Sequence, residues 1–312
     1  MLDGVKVYWH FSRPFTLLLP AMGMASGSLA AWGAEPRWSS DWTDGGTGLA
    51  GRILVGMVVG ALLNVFSNGC NQIYDLEIDR INKPERMLPS GRLNRRQAWL
   101  ISLLGLAGSL ISAGGLGRQT LALAMTAALA TWVYSAPPLR TKARGLWANL
   151  TIALPRGTLL WVAGWSVTKS AWRAEPWLVG LVLGLFFFGA ATTKDFSDMA
   201  GDQAGGCRTL PIMWGIEKTI RRIGWLFVFP FLLLALLGLT GLLGGAAWVF
   251  VLTGLLASGW GLFIVFLLKK TSAESWSLTG SRSITWENHA GWRHMYWLSL
   301  FVQVALVGAY WA

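Results

Sequence analysis

The sequence predicts an all-α polytopic membrane protein, and three observations support this fold class. Hydrophobic residues make up 54% of the 312 residues, and charged residues only 13%. Soluble domains carry about 25% charged residues, so this chain has too few to cover a water-exposed surface of its size. Its apolar residues form long continuous runs, whereas the strands of a membrane barrel alternate. With two cysteines and no glycine triplet repeat, the chain matches neither a disulfide scaffold nor collagen.

Nine apolar runs approach the length of about 20 residues that a helix needs to cross a bilayer. They lie at 15–33, 50–70, 97–115, 119–135, 146–167, 175–193, 223–244, 246–268 and 294–312. Some connections, such as Gly244-Gly245, are short, so we expect consecutive helices to be antiparallel neighbours. We interpret residues 1–312 as one transmembrane domain.

The net charge of +11 follows from the position of the basic residues along the chain. With the N-terminus inside, twenty of the 26 Lys and Arg fall on the inner side, five fall on the outer side, and Arg156 falls within the fifth predicted helix. Positive charge concentrates in cytoplasmic loops, so we expect the N-terminus in the cytoplasm and the C-terminus outside. The same distribution excludes nucleic acid as the reason for the charge. The first apolar run is longer than a signal-peptide core of about 7–15 residues, and we interpret it as a span.

Two short acidic segments stand at the predicted cytoplasmic ends of the second and sixth helices. At about 100° per residue, four side chains of the first segment share a helical face about 80° wide. They are Asn68, Asn71, Asp75 and Asp79, and the opposite face carries Cys70 and Glu77. In the second segment the shared face carries Asp195, Asp198 and Asp202. Gly201 is expected to weaken the second helix near its end.

Carboxylates stacked on one helical face repel each other unless a cation lies between them. Oxygen ligands favour a hard divalent cation such as Mg²⁺, which commonly binds one or two carboxylates together with substrate phosphates. Two such faces on one side of the membrane therefore predict a diphosphate held through Mg²⁺ by both helices. The alternative interpretation is a pair of solvated helix ends whose acids are balanced by nearby Arg and Lys.

Arg156 lies inside a predicted span and follows Pro155, which can kink a helix. An ionisable side chain within a span costs about 2.5–3.5 kcal/mol on insertion scales. We interpret Arg156 as a cavity-lining cation that orients a diphosphate or an anionic acceptor. The alternatives are a buried ion pair and a side chain that extends to the membrane surface.

Cys70 and Cys207 both fall on the predicted cytoplasmic side. Neither stands in a pattern with histidine or a metal site that would make its thiol reactive. We therefore predict two free thiols with packing roles in a reducing compartment.

The two acidic segments resemble the aspartate-rich motifs of the UbiA superfamily of intramembrane prenyltransferases. The first match is Asn71-xxx-Asp75-xxx-Asp79, followed by Asn82-Lys83-Pro84-x-Arg86 and Pro89-Ser90-Gly91. The second match is Lys194-Asp195-xx-Asp198-xx-Gly201-Asp202 with Arg208-Thr209-Leu210-Pro211. The segment from Tyr134 to Lys142 is similar to the family's Tyr…Lys segment after the fourth helix. The resemblance covers nearly the whole chain and leans toward the branch with chlorophyll synthases, homogentisate prenyltransferases and digeranylgeranylglyceryl phosphate synthases.

The resemblance implies a horseshoe of nine helices around a central cavity that opens laterally to membrane lipid. It also implies Mg²⁺-dependent transfer of a prenyl group from a polyprenyl diphosphate, such as geranylgeranyl diphosphate, through an allylic carbocation. The implied acceptor is membrane-embedded: an aromatic or quinone precursor, a tetrapyrrole or a glycerol-phosphate lipid. A terpene cyclase of the same fold and a membrane transporter are the alternatives, although a transporter would place its acids near the bilayer midplane.

The family motifs also assign roles to individual positions of this chain. The implied catalytic and metal-binding residues are Asn71, Asp75, Asp79, Asp198 and Asp202. The implied substrate contacts are Asn68, Arg86, Tyr134, Arg140, Lys142, Asn149, Arg156, Lys194, Asp195 and Arg208. Many relatives place a lysine at the position of Pro138, so the choice between Arg140 and Lys142 as the phosphate contact is left open.

Overall fold

The computed structural model describes the backbone of residues 2–42, 48–277 and 290–312 and the side chains of 6–42, 48–271 and 290–312. This part of the chain is built from α-helices and contains no β-strand. The helices are α1 Leu2–Ser12, α2 Leu18–Gly33, α3 Gly48–Tyr74, α4 Leu76–Asn82, α5 Arg95–Leu116, α6 Arg118–Ser135, α7 Leu146–Ala153, α8 Leu160–Ser166, α9 Ala174–Ala190, α10 Thr192–Ala204, α11 Leu210–Trp214, α12 Ile216–Ile223, α13 Phe229–Leu239, α14 Ala247–Ser277 and α15 Ala290–Trp311. Short 3₁₀ turns occupy Pro14–Leu17, Thr141–Ala143 and Gly224–Phe227, and a π-helical turn occupies Leu154–Leu159.

Six helical segments among the described residues are long and apolar enough to cross a membrane. They are Pro14–Gly33, Gly48–Tyr74, Arg95–Leu116, Ala174–Ala204, Ile216–Leu239 and Ala247–Thr271. The remaining predicted spans are also helical, at α6, at α7 to α8 and at α15. The all-α fold is confirmed, and the count of nine spans stays a prediction. The predicted loop between the last two spans lies partly in residues 278–289, outside the described part of the chain.

Helix α2 packs closely against α8 because glycines on both helices leave room for the backbones to approach. A Cβ on Gly27 would lie 2.7 Å from the carbonyl oxygen of Trp161, and a Cβ on Gly164 would lie 2.7 Å from that of Met24. Ser28 also donates a hydrogen bond of 2.9 Å to the carbonyl oxygen of Gly164. Small residues at a helix interface are a common basis of helix association in membranes. This contact fixes α2 and α8 relative to each other.

Aromatic side chains from the second half of the chain form the main core. Trp165, Phe186, Phe231, Phe250 and Tyr310 are fully buried there. The ring centroids of Phe186 and Phe231 are 5.2 Å apart, and the indole of Trp165 meets the ring of Tyr310 edge-on at 5.4 Å. These contacts join α8, α9, α13, α14 and α15 into one packed layer.

Buried cations fix the loops at one end of the helices. Arg52 donates hydrogen bonds to the carbonyl oxygens of Val167 and Leu116 at 2.8 and 2.9 Å. Lys169 donates to the carbonyl oxygens of Ala34 and Pro36. Carbonyl oxygens offset the cost of burying these charges. Both basic residues belong to the side that the charge distribution assigns to the outside, and the acidic segments lie on the other side.

The π-helical turn at Leu154–Leu159 interrupts the fifth predicted span. Pro155 lacks an N–H group, so a regular ladder of hydrogen bonds cannot pass through it. The turn packs directly on α9, where a Cβ on Gly157 would lie 2.6 Å from the Cα of Gly184. Thr158 donates a hydrogen bond of 2.9 Å to the carbonyl oxygen of Gly180. The position of the Arg156 backbone is therefore fixed by the contacts of the two residues that follow it.

We expect the substitution Gly27→Ala to destabilise the protein, because the added methyl group meets backbone atoms of α8. Overpacking of this kind costs about 1–3 kcal/mol. Gly259→Ala is the matched control, since a Cβ there meets nothing within 4 Å and alanine favours the helix. Thermal unfolding of the purified protein in detergent measures both effects. A melting temperature of Gly27→Ala equal to that of Gly259→Ala would contradict the close packing of α2 on α8.

Candidate active site

The first acidic segment lies on α3 and α4, and the chain departs from regular helix at Asp75 between them. Asp75 has φ −100° and ψ 13°, but the N–H of Asp79 still donates to its carbonyl oxygen at 2.7 Å. Asp75 and Asp79 are each 4% exposed, whereas Glu77 is exposed and pairs with Arg80 at 2.8 Å. The predicted separation of Asp75 and Asp79 from Glu77 is confirmed, although the helix is not continuous.

The second acidic segment lies on α10, which continues through Gly201 instead of weakening there. The reason is a close contact with the end of α4. The N–H of Gly201 donates to Oδ1 of Asn82 at 2.8 Å, and Nδ2 of Asn82 donates to the carbonyl oxygen of Asp198 at 2.9 Å. A Cβ on Gly201 would lie 2.6 Å from the Asn82 amide. Glycine at this position therefore allows α4 and α10 to meet, and this contact brings the two acidic segments together.

Basic side chains neutralise three of the aspartates. Lys142 and Arg140 pair with Asp75, Arg86 pairs with Asp79, and Lys83 and Lys194 pair with Asp198. The N–O distances are 3.7 Å for Arg140, 2.6 Å for Arg86, 2.5 Å for Lys83 and 3.5 Å for Lys194. The amide nitrogen of Asn71 also donates to Oδ2 of Asp75 at 2.6 Å. The acids are thus balanced by nearby bases, as the alternative interpretation expects, and the two segments also converge.

A polar pocket of about 30 Å³ lies where the segments meet. Its walls are Asn71, Asp75, Ile78, Asp79, Tyr134, Lys142, Ala148, Lys194, Asp195, Asp198, Asp202 and Thr209. Both acidic segments contribute carboxylates to this pocket. Of the two basic residues after Tyr134 that the sequence left open, Lys142 lines the polar pocket, and Arg140 approaches Asp75 from outside its walls.

The donor set of the polar pocket fits a hard divalent cation, although it does not form a complete cage. Carboxylate and amide oxygens are the ligands that Mg²⁺ prefers, and Mg²⁺ usually adds substrate phosphates to one or two carboxylates. Oδ1 of Asp75 is buried without a hydrogen-bond partner. In the described part of the chain, no three His, Cys, Asp or Glu side chains lie close enough together to bind a metal by themselves. The pocket therefore suits a cation that arrives with a phosphate ligand.

An apolar cavity of about 170 Å³ adjoins the polar pocket. The two share Asn71, Tyr134 and Lys194 as wall residues. The cavity extends between α2, α3, α6, the π-helical turn, α9 and α15, and most of its surface is apolar. Its aromatic wall residues include Phe187, Trp292 and Tyr296, with the rings of Trp292 and Tyr296 4.5 Å apart. Charged groups thus lie at one part of a space that is otherwise suited to a hydrocarbon chain.

Besides Tyr134 and Lys194, two further predicted substrate contacts line the apolar cavity. Arg156 lies on its wall, is exposed, and forms no ion pair with the described residues. Asn68 lines it too, and its amide nitrogen donates to the carbonyl oxygen of Ser12 and to Oγ1 of Thr16 at 3.1 and 2.8 Å. These contacts make Asn68 a support for the turn before α2.

Two other predicted substrate contacts lie elsewhere. Asn149 lines neither the polar pocket nor the apolar cavity, because its amide nitrogen donates to the carbonyl oxygen of Phe188 and to Oγ1 of Thr192 at 2.7 and 2.6 Å. It connects α7 with α9 and α10. Arg208 is exposed, and its backbone N–H donates to the carbonyl oxygen of Ala143 at 3.1 Å. This backbone contact holds two loops together and leaves the Arg208 side chain outside both spaces.

Sequence reasoning did not assign roles to Lys83 and Arg13. Lys83 is only 9% exposed and forms the cross-helix ion pair with Asp198, and its place in the Asn-Lys-Pro motif could have indicated this. Arg13 lines the apolar cavity and precedes the first span. Burial, followed by the charges of Arg86 and Arg156, lowers the pKa of Arg13 to about 10. A cation at a helix start has no distinctive pattern, so only the folded chain reveals this position.

The two cysteines are buried free thiols, as predicted. Cys70 and Cys207 are 0% and 2% exposed, and neither forms a disulfide. Burial raises the pKa of the Cys207 thiol above its ordinary value, and the negative charges of Asp202 and Asp75 add to that effect. The thiol form therefore predominates at neutral pH, and neither residue lines the polar pocket.

Comparison with known proteins places these features in a family. Residues 17–286 match the model of the UbiA prenyltransferase family. The chain is 35% identical to the bacteriochlorophyll synthase 33 kDa chain of Cereibacter sphaeroides over 169 residues, which are 53% of this chain and 55% of that protein. It is 30% identical to the homogentisate phytyltransferase of Synechocystis over 250 residues, which are 75% of this chain and 77% of that protein. The chain thus spans only about half the length of the first of these relatives.

A solved structure shares the fold over nearly the whole chain. It is a UbiA homolog from Archaeoglobus fulgidus bound to GPP and Mg²⁺. The TM-score is 0.71 at 19% sequence identity, with 97% of this chain and 99% of that chain covered. The shared fold, the apolar helices and the family match identify the chain as an integral membrane protein.

We expect neither native thiol to react with a maleimide at pH 7, because both are buried and the raised pKa of Cys207 reduces its thiolate fraction. After denaturation both should react. The variant Ser90→Cys provides an exposed thiol as a positive control. Mass spectrometry counts the labels before and after denaturation. Rapid labelling of the native wild-type protein, or fewer than two labels after denaturation, would contradict the assignment.

Proposed function

We propose that this chain, which belongs to the UbiA prenyltransferase family, transfers a prenyl group from a polyprenyl diphosphate to a membrane-embedded acceptor. The acceptor class is an aromatic or quinone precursor, a tetrapyrrole or a glycerol-phosphate lipid. The observation that carries the proposal is the convergence of both acidic segments on the polar pocket, which adjoins the apolar cavity. A diphosphate fits the first space, and its prenyl chain, such as geranylgeranyl, fits the second.

We further propose that Mg²⁺ is the cofactor and that both segments hold it. The residues that would hold it are Asn71, Asp75, Asp79, Asp198 and Asp202, with Asp195 supporting them. When bound, Mg²⁺ supplies electrostatic stabilisation of the negative charge that develops on the leaving diphosphate. The buried Oδ1 of Asp75, which accepts no hydrogen bond, and the oxygen-only donor set support this assignment.

The basic residues around the polar pocket have two roles in the proposed reaction. Without substrate they neutralise the aspartates, as the ion pairs of Lys142, Arg86 and Lys83 show. With substrate, Lys142 and Lys194, which line the polar pocket, donate hydrogen bonds to phosphate oxygens. Charge-assisted hydrogen bonds of this kind are strong and orient the leaving group. Arg86 and Arg140 hold Asp79 and Asp75 in place from outside and can extend to the same phosphates.

The apolar cavity provides the conditions that an allylic cation needs. The bond between the allylic carbon and the diphosphate oxygen breaks with both electrons remaining on that oxygen. The acceptor then forms a bond to the allylic carbon and loses a proton. Apolar walls exclude water, which would otherwise capture the cation. The aromatic faces of Tyr134, Trp292 and Tyr296 can each stabilise a cation by about 0.5–2 kcal/mol.

The membrane arrangement completes the proposal. Residues 1–312 form one domain of nine spans arranged as a horseshoe around a laterally open cavity, with the N-terminus and the loops of the polar pocket in the cytoplasm. The C-terminus lies outside. Arg52 and Lys169 lie at the opposite end of the helices from the polar pocket. This placement supports a topology in which successive loops alternate between the two sides of the membrane.

The substitutions Asp75→Asn and Asp198→Asn should each reduce turnover by about a hundredfold or more, since preorganised charges at a reacting centre contribute on this scale. Glu77→Gln is the matched control, because Glu77 is an exposed acid on the opposite face of the same segment. Purified variants are incubated with Mg²⁺, geranylgeranyl diphosphate and a panel of acceptors, and products are identified by mass spectrometry. Size-exclusion profiles verify that each variant is folded.

Equal losses in all three variants would contradict the assignment of the two faces. A hydrocarbon or alcohol product formed from the diphosphate alone, at the same rate with and without acceptors, would identify a terpene cyclase instead. Turnover by wild-type protein that depends on one acceptor supports the transferase.

A further inference from the structure

A basic surface lies outside both the polar pocket and the apolar cavity, on the strongly amphipathic helix α12. The buried face of this helix carries Thr219, Ile220 and Ile223. Its exposed basic residues are Lys218, Arg221 and Arg222. Among the described residues no acid pairs with any of these three, and the guanidinium of Arg222 lies 4.3 Å from the ring centre of Trp214. Their charge is therefore not used within the described part of the chain.

Helix α12 leads into a span that packs antiparallel to α14. A Cβ on Gly224, which follows α12 directly, would lie 3.4 Å from Cγ1 of Val265. At the other end of the same pair, a Cβ on Gly238 would lie 2.5 Å from Cβ of Phe250. The later residue of the first segment thus faces the earlier residue of the second. The contact between Gly224 and Val265 fixes the end of α12 against α14.

Arg221 and Lys269 lie at one level and on one side of this contact. Arg221 comes three residues before Gly224, about 4.5 Å along the axis, and is turned about 60° around its helix. Lys269 comes four residues after Val265, about 6 Å along the axis, and is turned about 40°. Because the helices are antiparallel, both displacements lead to the same end and the same side. Trp225 also falls on this side, and it is 74% exposed.

An exposed apolar stripe on α14 leads to Lys269. Leu255, Leu262 and Phe266 are 55%, 59% and 59% exposed. At about 100° per residue, these three side chains and Lys269 share a face about 60° wide. The distance from Leu255 to Phe266 along the helix axis is about 16 Å, which is about half of a bilayer core of about 30 Å. The stripe therefore has the length of one lipid leaflet and ends at a cation.

These features together match a phospholipid with an acidic headgroup. An acyl chain suits the apolar stripe, and a phosphate suits the cations at its end. Tryptophan is enriched at the boundary between membrane and water, so Trp225 stands at the level of lipid headgroups. Basic amphipathic helices are attracted to anionic lipids. The bias of basic residues toward one side of a membrane requires only that they lie in a loop, and it does not require their alignment with a lipid-facing stripe.

We propose that Arg221, Lys269, Trp225 and the apolar stripe of α14 form a binding site for one anionic phospholipid. The lipid comes from the leaflet at the same end of the helices as the polar pocket. Its phosphate lies at Arg221 and Lys269, and one acyl chain follows the stripe. Lys218 and Arg222 add attraction for the headgroup from the rest of the basic face. The site is separate from both substrate spaces, so the inference does not depend on the reaction that the chain catalyses.

Native mass spectrometry of the full chain in a non-ionic detergent tests the proposal. The protein is titrated with dioctanoyl phosphatidylglycerol and separately with dioctanoyl phosphatidylcholine, which has the same acyl chains and no net charge. The first lipid should bind at least about tenfold more tightly, because two basic residues near an anionic headgroup contribute on this scale. A third titration with glycerol 3-phosphate, which lacks acyl chains, distinguishes the lipid from a free phosphate.

The double variant Arg221→Gln/Lys269→Gln should weaken the binding of phosphatidylglycerol at least about tenfold and leave that of phosphatidylcholine unchanged. Arg80→Gln/Arg96→Gln is the matched control, because it removes two exposed basic charges at the same end of the molecule and away from α12 and α14. This control should bind both lipids as the wild-type protein does.

Equal affinity of the wild-type protein for the two lipids would overturn the proposal, and this comparison requires no variant to fold. An equal loss in the double variant and its control would overturn it too, because binding would then follow the net charge alone. Binding of glycerol 3-phosphate that the double variant abolishes would identify a site for free anions in place of a lipid site.

Discussion

The structure depends on one electrostatic balance: carboxylates from two helices and basic side chains from three parts of the chain neutralise one another at the polar pocket. Asp75 and Asp79 on the first segment and Asp198 on the second are nearly buried, and like charges so placed would repel. Lys83 reaches from the end of α4 to Asp198, and Lys142 reaches from the loop after α6 to Asp75. The ion pairs therefore join the two acidic segments to the loops between helices. A buried ion pair contributes little net stability, but removing one partner is costly. The ion pairs therefore determine which segments and loops meet at the polar pocket.

Close packing of small residues places an apolar space beside this charged one. Gly27 and Gly164 bring α2 onto α8, and Gly157 fixes the π-helical turn on α9. These contacts set the positions of walls on which Arg156 and the aromatic side chains lie. The polar pocket and the apolar cavity then share Asn71, Tyr134 and Lys194 as wall residues. The proposed reaction requires two such adjoining spaces, since it places the leaving diphosphate in the first and the allylic cation in the second.

Helical periodicity predicted part of this arrangement, because it depends on local sequence. The separation of Asp75 and Asp79 from Glu77 follows from residue spacing alone. The prediction of two free thiols rested on the absence of histidine or metal patterns around Cys70 and Cys207. The errors arise where tertiary contacts decide. Gly201 supports α10 because Asn82 occupies the space of its missing side chain, and Asn149 connects α7 with its neighbours instead of contacting the cavity. Arg13, whose backbone is left-handed, connects α1 to the 3₁₀ turn before α2 and lines the cavity, which a charge count cannot reveal.

The central claim is that the two acidic segments and their basic partners form one site for a metal-bound diphosphate. Calorimetric titration with an unreactive analogue of geranyl diphosphate, whose bridging oxygen is replaced by sulfur, tests it directly when performed with Mg²⁺ and again with excess chelator. The account predicts stoichiometric binding with Mg²⁺ and an affinity at least about tenfold weaker with chelator, because Lys and Arg alone then face the phosphates while the aspartates oppose them. An unchanged affinity after metal removal would contradict it.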